Sequence, residues 1–141
     1  MSDYIDRFTE MFRDLKPDSF EAMASIYDPE VVFQDPAHQI VGRENLTRYF
    51  EELCGSLLYC RFDISRRAND GDSVFLEWEM SFAHPKLSSG KCIVVPGVSV
   101  LKLSDNGICS HRDYFDMGAM LYEKLPMLGS VVSYLKNRLA A

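Results

Sequence analysis

Ten residues near the C-terminal end, Gly107 to Asp116, read GICSHRDYFD and have the pattern of a polar-studded β-strand. Side chains alternate across a strand, so Cys109, His111, Asp113 and Phe115 share one face while Ile108, Ser110, Arg112, Tyr114 and Asp116 share the other. A histidine and a carboxylate two positions apart, with an aromatic next in line, are the residue types of a proton-transfer wall if that face looks into a protected cavity. If it looks into water, they are ordinary charges on a solvated strand. Burying an ionised carboxylate is costly unless it is paired. A buried Asp113 is therefore protonated, bonded to His111 or Arg112, or kept for chemistry, and Arg112 points the other way. Asp35, just before Pro36, reads by itself as a turn residue that accepts backbone hydrogen bonds. His38 and His84 fall in loops, and no trio of His, Asp or Cys has metal-ligand spacing, so no metal is expected.

The elements that must position these residues come first in the chain as helices. Tyr4, Ile5, Phe8, Met11, Phe12 and Leu15 recur at helical spacing after Ser2 or Asp3 as a cap, and Pro17 blocks continuation past Lys16. Asp18 and Glu21 resemble a capping box, and Phe20, Met23, Ala24 and Tyr27 line a short second helix that reaches Asp28-Pro29. Val31 to Gln34 is a short β segment, and Gly42 leads into a third helix, Arg43 to Cys54, stopped by Gly55.

The period then becomes alternating. Leu58, Cys60, Phe62 and Ile64, followed across the turn Asn69-Asp70-Gly71-Asp72 by Val74, Leu76, Trp78, Met80 and Phe82, form the apolar face of a hairpin. Lys91 to Leu103 is apolar on both faces, as a strand covered on both sides would be, and Pro96-Gly97 within it predicts a bulge or sharp bend. In the tail, Met117 to Ala141, Pro126 and Gly129 divide two short helices, which either pack over the sheet or a neighbouring subunit or form a lid with Met120, Leu121, Leu125 and Leu128. Three helices, a meander of strands and a helical tail predict an α+β domain, one over residues 1–141, with the helices on one side of an antiparallel sheet.

Composition narrows the function classes. A net charge of −6, a pI near 5.0 and only short basic clusters such as Arg66-Arg67 argue against nucleic acid as a partner. Cys54, Cys60, Cys92 and Cys109 lie far apart without a CxxC, which fits buried free thiols in a reducing compartment. The N-terminal stretch is acidic and amphipathic and no long apolar run appears, so neither a signal peptide nor a membrane span is expected, and the location expected is cytoplasmic.

The element order, together with YDPEVVFQDP-x5-GRENLTRYF and GICSHRDYFD, resembles the nuclear transport factor 2-like superfamily and its SnoaL-like branch of polyketide cyclases, steroid ketoisomerases and limonene epoxide hydrolases. The resemblance implies a cone of curved sheet and N-terminal helices around an apolar pocket, and a homodimer through the sheet. It places Asp35 where the ketoisomerases carry their general base, but puts Met11 and Ser99 where they carry oxyanion donors. Asp113 matches one catalytic aspartate of the epoxide hydrolases, whereas Met80 and Trp78 stand at their second aspartate and arginine, and Phe33 and Asp35 replace their water-holding tyrosine and asparagine. Both of those activities as such are argued against. The aspartate and histidine of the cyclases correspond in type to Asp113 and His111. The matches place Trp78, Met80 and Phe82, then Val95, Gly97 and Ser99, then His111, Asp113 and Phe115 inward, with Met11 as a pliable part of the lining.

The expected function is cofactor-independent proton transfer on a small hydrophobic carbonyl compound, as an isomerase, cyclase or dehydratase. Asp35 would be the base, Asp113 the acid or its orienting partner, and His111 a second donor. The alternative is a non-catalytic module that binds a hydrophobic ligand or serves as a dimeric interaction piece.

Overall fold

The computed structural model describes residues 2–16, 18–120 and 126–140. Helix α1 (Ser2–Arg13) buries Ile5, Phe8, Met11 and Phe12 along one face and carries the Asp3–Arg7 and Glu10–Arg13 ion pairs on the other. Burial of that stripe, rather than the surface pairs, is what holds the helix to the sheet.

The second helix is shorter than its periodicity suggested. α2 spans Ser19–Ala22, Asp18 makes no side-chain cap bond, and the local bond runs instead from the Lys16 amide to Ser19 Oγ. After a 3-10 turn, Met23–Ser25, the chain extends, so Tyr27 opens strand β1 (Tyr27–Gln34). Pro29 disfavours helical backbone at Asp28, and Asp28 itself accepts the Glu30 amide and the Ser104 hydroxyl. A strand absent from the sequence reading, β2 (Gln39–Val41), folds back on β1. Gly42, at φ +93°, turns the chain into α3 (Arg43–Ser56), which buries Leu46 and Phe50 and continues through Gly55 instead of stopping there.

Four long strands follow: β3 (Tyr59–Asp70), β4 (Ser73–Ala83), β5 (Ile93–Ser104) and β6 (Gly107–Phe115). With β1 and β2 they form one six-stranded sheet in the order β2-β1-β6-β5-β4-β3, antiparallel except for the parallel pair β1 and β6. The bend expected at Pro96-Gly97 is not a bulge, because β4 and β5 pair without a shift from Phe82 opposite Ile93 to Ser73 opposite Lys102. β6 ends opposite Gly97, so Pro96 meets no ladder partner on that side. The irregularities lie at Ser65 in β3, between Tyr27 and Val32 in β1, and at Cys109 in β6. The last reverses the parity expected at the start of β6: Ile108 faces the core fully buried, while His111 keeps the same inward side.

Of the four free cysteines only Cys60 is buried; Cys92 is exposed. Burial pushes the Cys60 thiol up to about 12. The tail forms α4 (Met117–Met120) and α5 (Pro126–Ala140), with Pro126 at the start of α5 and Gly129 inside it, so Gly129 does not divide the helix. Of the expected lid residues, Met120 packs against the core. Leu121 and Leu125 lie outside the described residues, as does the Leu128 side chain. No helix among the described residues is long and apolar enough to cross a membrane.

Candidate active site

Four neighbouring strands, β1, β6, β5 and β4, build the site. Ser99 of β5 stands directly opposite Asp113 of β6, and Gly97 stands between Trp78 of β4 and Phe115 of β6. A Cβ at Gly97 would sit 2.3 Å from the Trp78 ring, so only glycine lets the indole lie across β5 and reach Ser99. Two residues before Asp113, His111 lies opposite Leu101 and beside Phe33 of β1.

The polar atoms of these residues form one continuous chain. Trp78 Nε1 donates to Ser99 Oγ at 2.8 Å, and Ser99 Oγ donates to Asp113 Oδ1 at 2.5 Å. His111 Nε2 meets the same oxygen at 2.7 Å, and His111 Nδ1 meets the Tyr27 hydroxyl at 2.8 Å. An indole N–H can only donate, so the Ser99 proton is directed at Asp113. From the other end, a neutral His111 carrying its proton on Nε2 donates to the carboxylate and accepts from Tyr27. That arrangement satisfies every member, in keeping with the absence of unpartnered buried side-chain polar atoms among the described residues. Donors thus converge from both sides on Asp113 Oδ1, and Oδ2 has no hydrogen-bond partner among the described residues.

The chain is almost dry. Tyr27 is fully buried, His111 is 1% exposed and the Asp113 side chain 11%. The rings of Phe8, Phe12 and Phe33 approach His111 edge-on with centroids at 5.3, 6.1 and 4.9 Å. Burial, and secondarily the Asp113 charge, pushes the Tyr27 hydroxyl well above the ordinary phenol range, which keeps it a proton donor. The space against Asp113, bounded by Phe8, Phe12, Phe62, Ile64 and Trp78 with Ser99 and His111, is not wide enough for a water molecule. Of the other residues expected in the lining, Met11, Phe33, Met80, Phe82 and Val95 are buried in the surrounding core and Phe115 is half-buried beside Trp78.

Asp35 is placed differently. It sits between β1 and β2, where Oδ1 accepts the amides of Ala37 at 2.8 Å and His38 at 2.6 Å and lies 3.1 Å from His38 Nδ1. The Tyr49 hydroxyl donates to Oδ2 at 3.3 Å. Burial first, then the charge of Asp35, pushes the Tyr49 hydroxyl upward, and Asp113 adds to the shift. No hydrogen bond joins Asp35 to His111 or Asp113. Their link is through the rings of Tyr49 and Phe33, 5.7 Å apart. The structure therefore brings His111 and Asp113 together and leaves Asp35 in a second cluster.

Tyr27 and Tyr49 were not singled out as site residues, and Ser99 and Trp78 were read only as lining. Tyr27 was hidden by its helical spacing to Phe20 and Met23; the extended backbone preferred before Pro29 was the available signal. Among the described residues no three His, Cys, Asp or Glu side chains are grouped to hold a metal ion.

Comparison with known proteins fits this architecture. A ketosteroid isomerase-like-fold protein from Catenulispora acidiphila, solved in complex with trimethylamine, is 17% identical and superposes with a TM-score of 0.74 over 87% of this chain and 93% of its own. A Shewanella putrefaciens protein assigned as a SnoaL-like polyketide cyclase is 19% identical with a TM-score of 0.70, covering 84% and 91%. An LEH-like epoxide hydrolase of M. tuberculosis is 19% identical with a TM-score of 0.69, covering 92% of each chain. At these identities the likeness shows the fold. No curated protein matches the sequence. The model of the SnoaL-like domain matches residues 6–111, three quarters of the chain and every strand that carries the Tyr27–His111–Asp113 chain up to His111, and the protein belongs to that SnoaL-like family within the nuclear transport factor 2-like fold.

Proposed function

We propose that the protein carries out cofactor-independent proton transfer on a small apolar carbonyl compound, as an isomerase, cyclase or dehydratase, with Asp113 as the group that takes the proton. The observation that carries this reading is the convergence of Ser99 and His111 on Asp113 Oδ1, which leaves Oδ2 without a hydrogen-bond partner among the described residues. A carboxylate whose inner oxygen is fixed by two donors presents its outer oxygen in one orientation, as a general base needs. His111 and Tyr27 would hold that orientation from behind, and Trp78 from the side. Asp35, with its carboxylate committed to a turn and to Tyr49, would be the secondary carboxylate rather than the base. The cytoplasm as location, residues 1–141 as one domain and a homodimer as the working form belong to the same reading.

The test is exchange of the α-protons of a panel of apolar ketones with D2O, followed by NMR. Wild-type protein should accelerate exchange, Asp113→Asn should lose about 10²-fold or more, and Asp35→Asn should lose far less. The reverse pattern would move the base to Asp35. No exchange with any ketone, combined with saturable binding, would favour the second reading, a non-catalytic hydrophobic-ligand module. Phe8, Phe12, Phe62 and Trp78 leave no room for water beside Asp113, so under either reading a ligand must displace rings to enter.

A further inference from the structure

From Gly129 onward, α5 leaves its larger apolar residues outside. The side turned to the rest of the chain presents Gly129, Val132, Ser133 and Lys136, the last ion-paired with Asp116, which also accepts the Gly118 and Ala119 amides. The side turned to solvent carries Val131, Tyr134, Leu135 and Leu139, each more than half exposed, with Arg138 in the middle of the stripe. Arg138 makes no ion pair among the described residues. A helix held with a row of large apolar residues outward is a helix awaiting a cover.

The outer face of the sheet has the matching deficiency. Along β5, Val94, Pro96, Val98 and Val100 point away from the core, between Phe75, Glu77, Glu79 and Ser81 of β4 and Arg112 and Tyr114 of β6, so the β5 row itself lacks the polar character of a strand exposed to water. Beside that row Asp63 of β3 and Glu79 of β4 stand directly opposite each other, Glu79 in turn opposite Pro96, and neither has a cationic partner among the described residues. Two like charges facing across a strand pair destabilise it unless a cation intervenes.

We propose that α5 of one copy lies across the outer face of β5 of a second copy, with Val131, Tyr134 and Leu135 on the Val94–Val100 row and Arg138 over Asp63 and Glu79. The occupant is a second copy of the chain because the complement of each face, apolar stripe for apolar row and cation for acid pair, is present on the other. The Lys136–Asp116 pair holds α5 at the end of β6 with its stripe turned away from its own body. A two-fold arrangement satisfies both faces of both copies at once. The proposal rests on the homodimer part of the reading above and not on its chemistry.

The experiment is sedimentation equilibrium of the full chain and of three variants, with circular dichroism confirming that each is folded. The wild type should be a dimer. Arg138→Glu and Glu79→Arg should each weaken association about tenfold or more, and the two substitutions in one chain should restore it. A wild type that stays monomeric overturns both the dimer and this contact, leaving the stripe to another partner or to α5 folding on its own sheet. A dimer indifferent to Arg138→Glu, or a double variant that is not restored, overturns the contact while the dimer stands.

Discussion

The chain contains two carboxylate–histidine pairs whose carboxylates are both largely buried but whose imidazoles are not alike. Asp35 and His38 are three residues apart, joined within one turn, and His38 is half exposed. Asp113 and His111 are two apart on one strand, joined within the core, and His111 is walled off by rings from α1 and β1. The first pair is made by local backbone: Asp35 accepts the Ala37 and His38 amides as an Asp in a turn does, and the imidazole follows. The second exists only because Ser99, Trp78 and Tyr27 arrive from three other strands. A buried polar chain is worth more than an exposed one and is more damaging when broken.

The sharpest way to break the comparison is to remove each imidazole in turn. His111→Leu leaves the Tyr27 hydroxyl and the Asp113 carboxylate without their partner in a dry core and should destabilise by roughly 3–5 kcal/mol. His38→Leu removes a half-exposed imidazole and leaves Asp35 its two backbone amides and the Tyr49 hydroxyl, so it should lose no more than about 1 kcal/mol. Urea unfolding of both variants measures the difference. Equal losses would mean that the two pairs are energetically alike.

A smaller effect is expected at Gly97, which contacts no member of the chain by hydrogen bond yet admits the Trp78 ring. Gly97→Ala puts a methyl group inside that ring and should destabilise by about 1–3 kcal/mol through overpacking. Because the indole must shift, its near-ultraviolet circular dichroism should change as well. Loss of stability without that spectral change would place the damage elsewhere.

The smallest effect at neutral pH is expected from Tyr27→Phe, roughly 1–2 kcal/mol for the unpaired Nδ1 of His111, but it should alter the alkaline limb of stability. The folded-state pKa of Tyr27 is raised, so its contribution is fully present below the ordinary phenol value of about 10 and is lost as pH rises through the folded value. Thermal unfolding as a function of pH should therefore fall less steeply above about 10 in Tyr27→Phe than in the wild type. Cys60, pushed up to about 12 by burial, leaves part of the alkaline loss in both proteins. Identical alkaline limbs would show that Tyr27 does not titrate with unfolding.

How much of this was legible beforehand depends on the range of the interaction that decides it. Alternation along one strand put His111, Asp113 and Phe115 on a common face, and helical spacing put Ile5, Phe8 and Phe12 on another; both follow from periods of two and 3.6 residues written in the chain itself. The turn at Asp35 and the entry into α3 at Gly42 are equally local. The break at Gly129, and the bulge that was one of the two expectations at Pro96-Gly97, are absent: in each, a local preference was given the weight of a decision that neighbours make. α5 runs through its glycine, and β5 stays in register because β6 ends beside the proline.

The sequence by itself determined which side chains face inward wherever an element keeps its period, as in α1 and from His111 to Phe115, because facing there is a property of a residue and its nearest few neighbours. It could not determine that Tyr27 would meet a histidine 84 positions away, that a tryptophan would reach a serine across a bare glycine, or that α1 would close the space over Asp113. Those contacts depend on strand order, on the parallel seating of β1 beside β6 and on bulges that shift register by single residues, and only the packed sheet decides them.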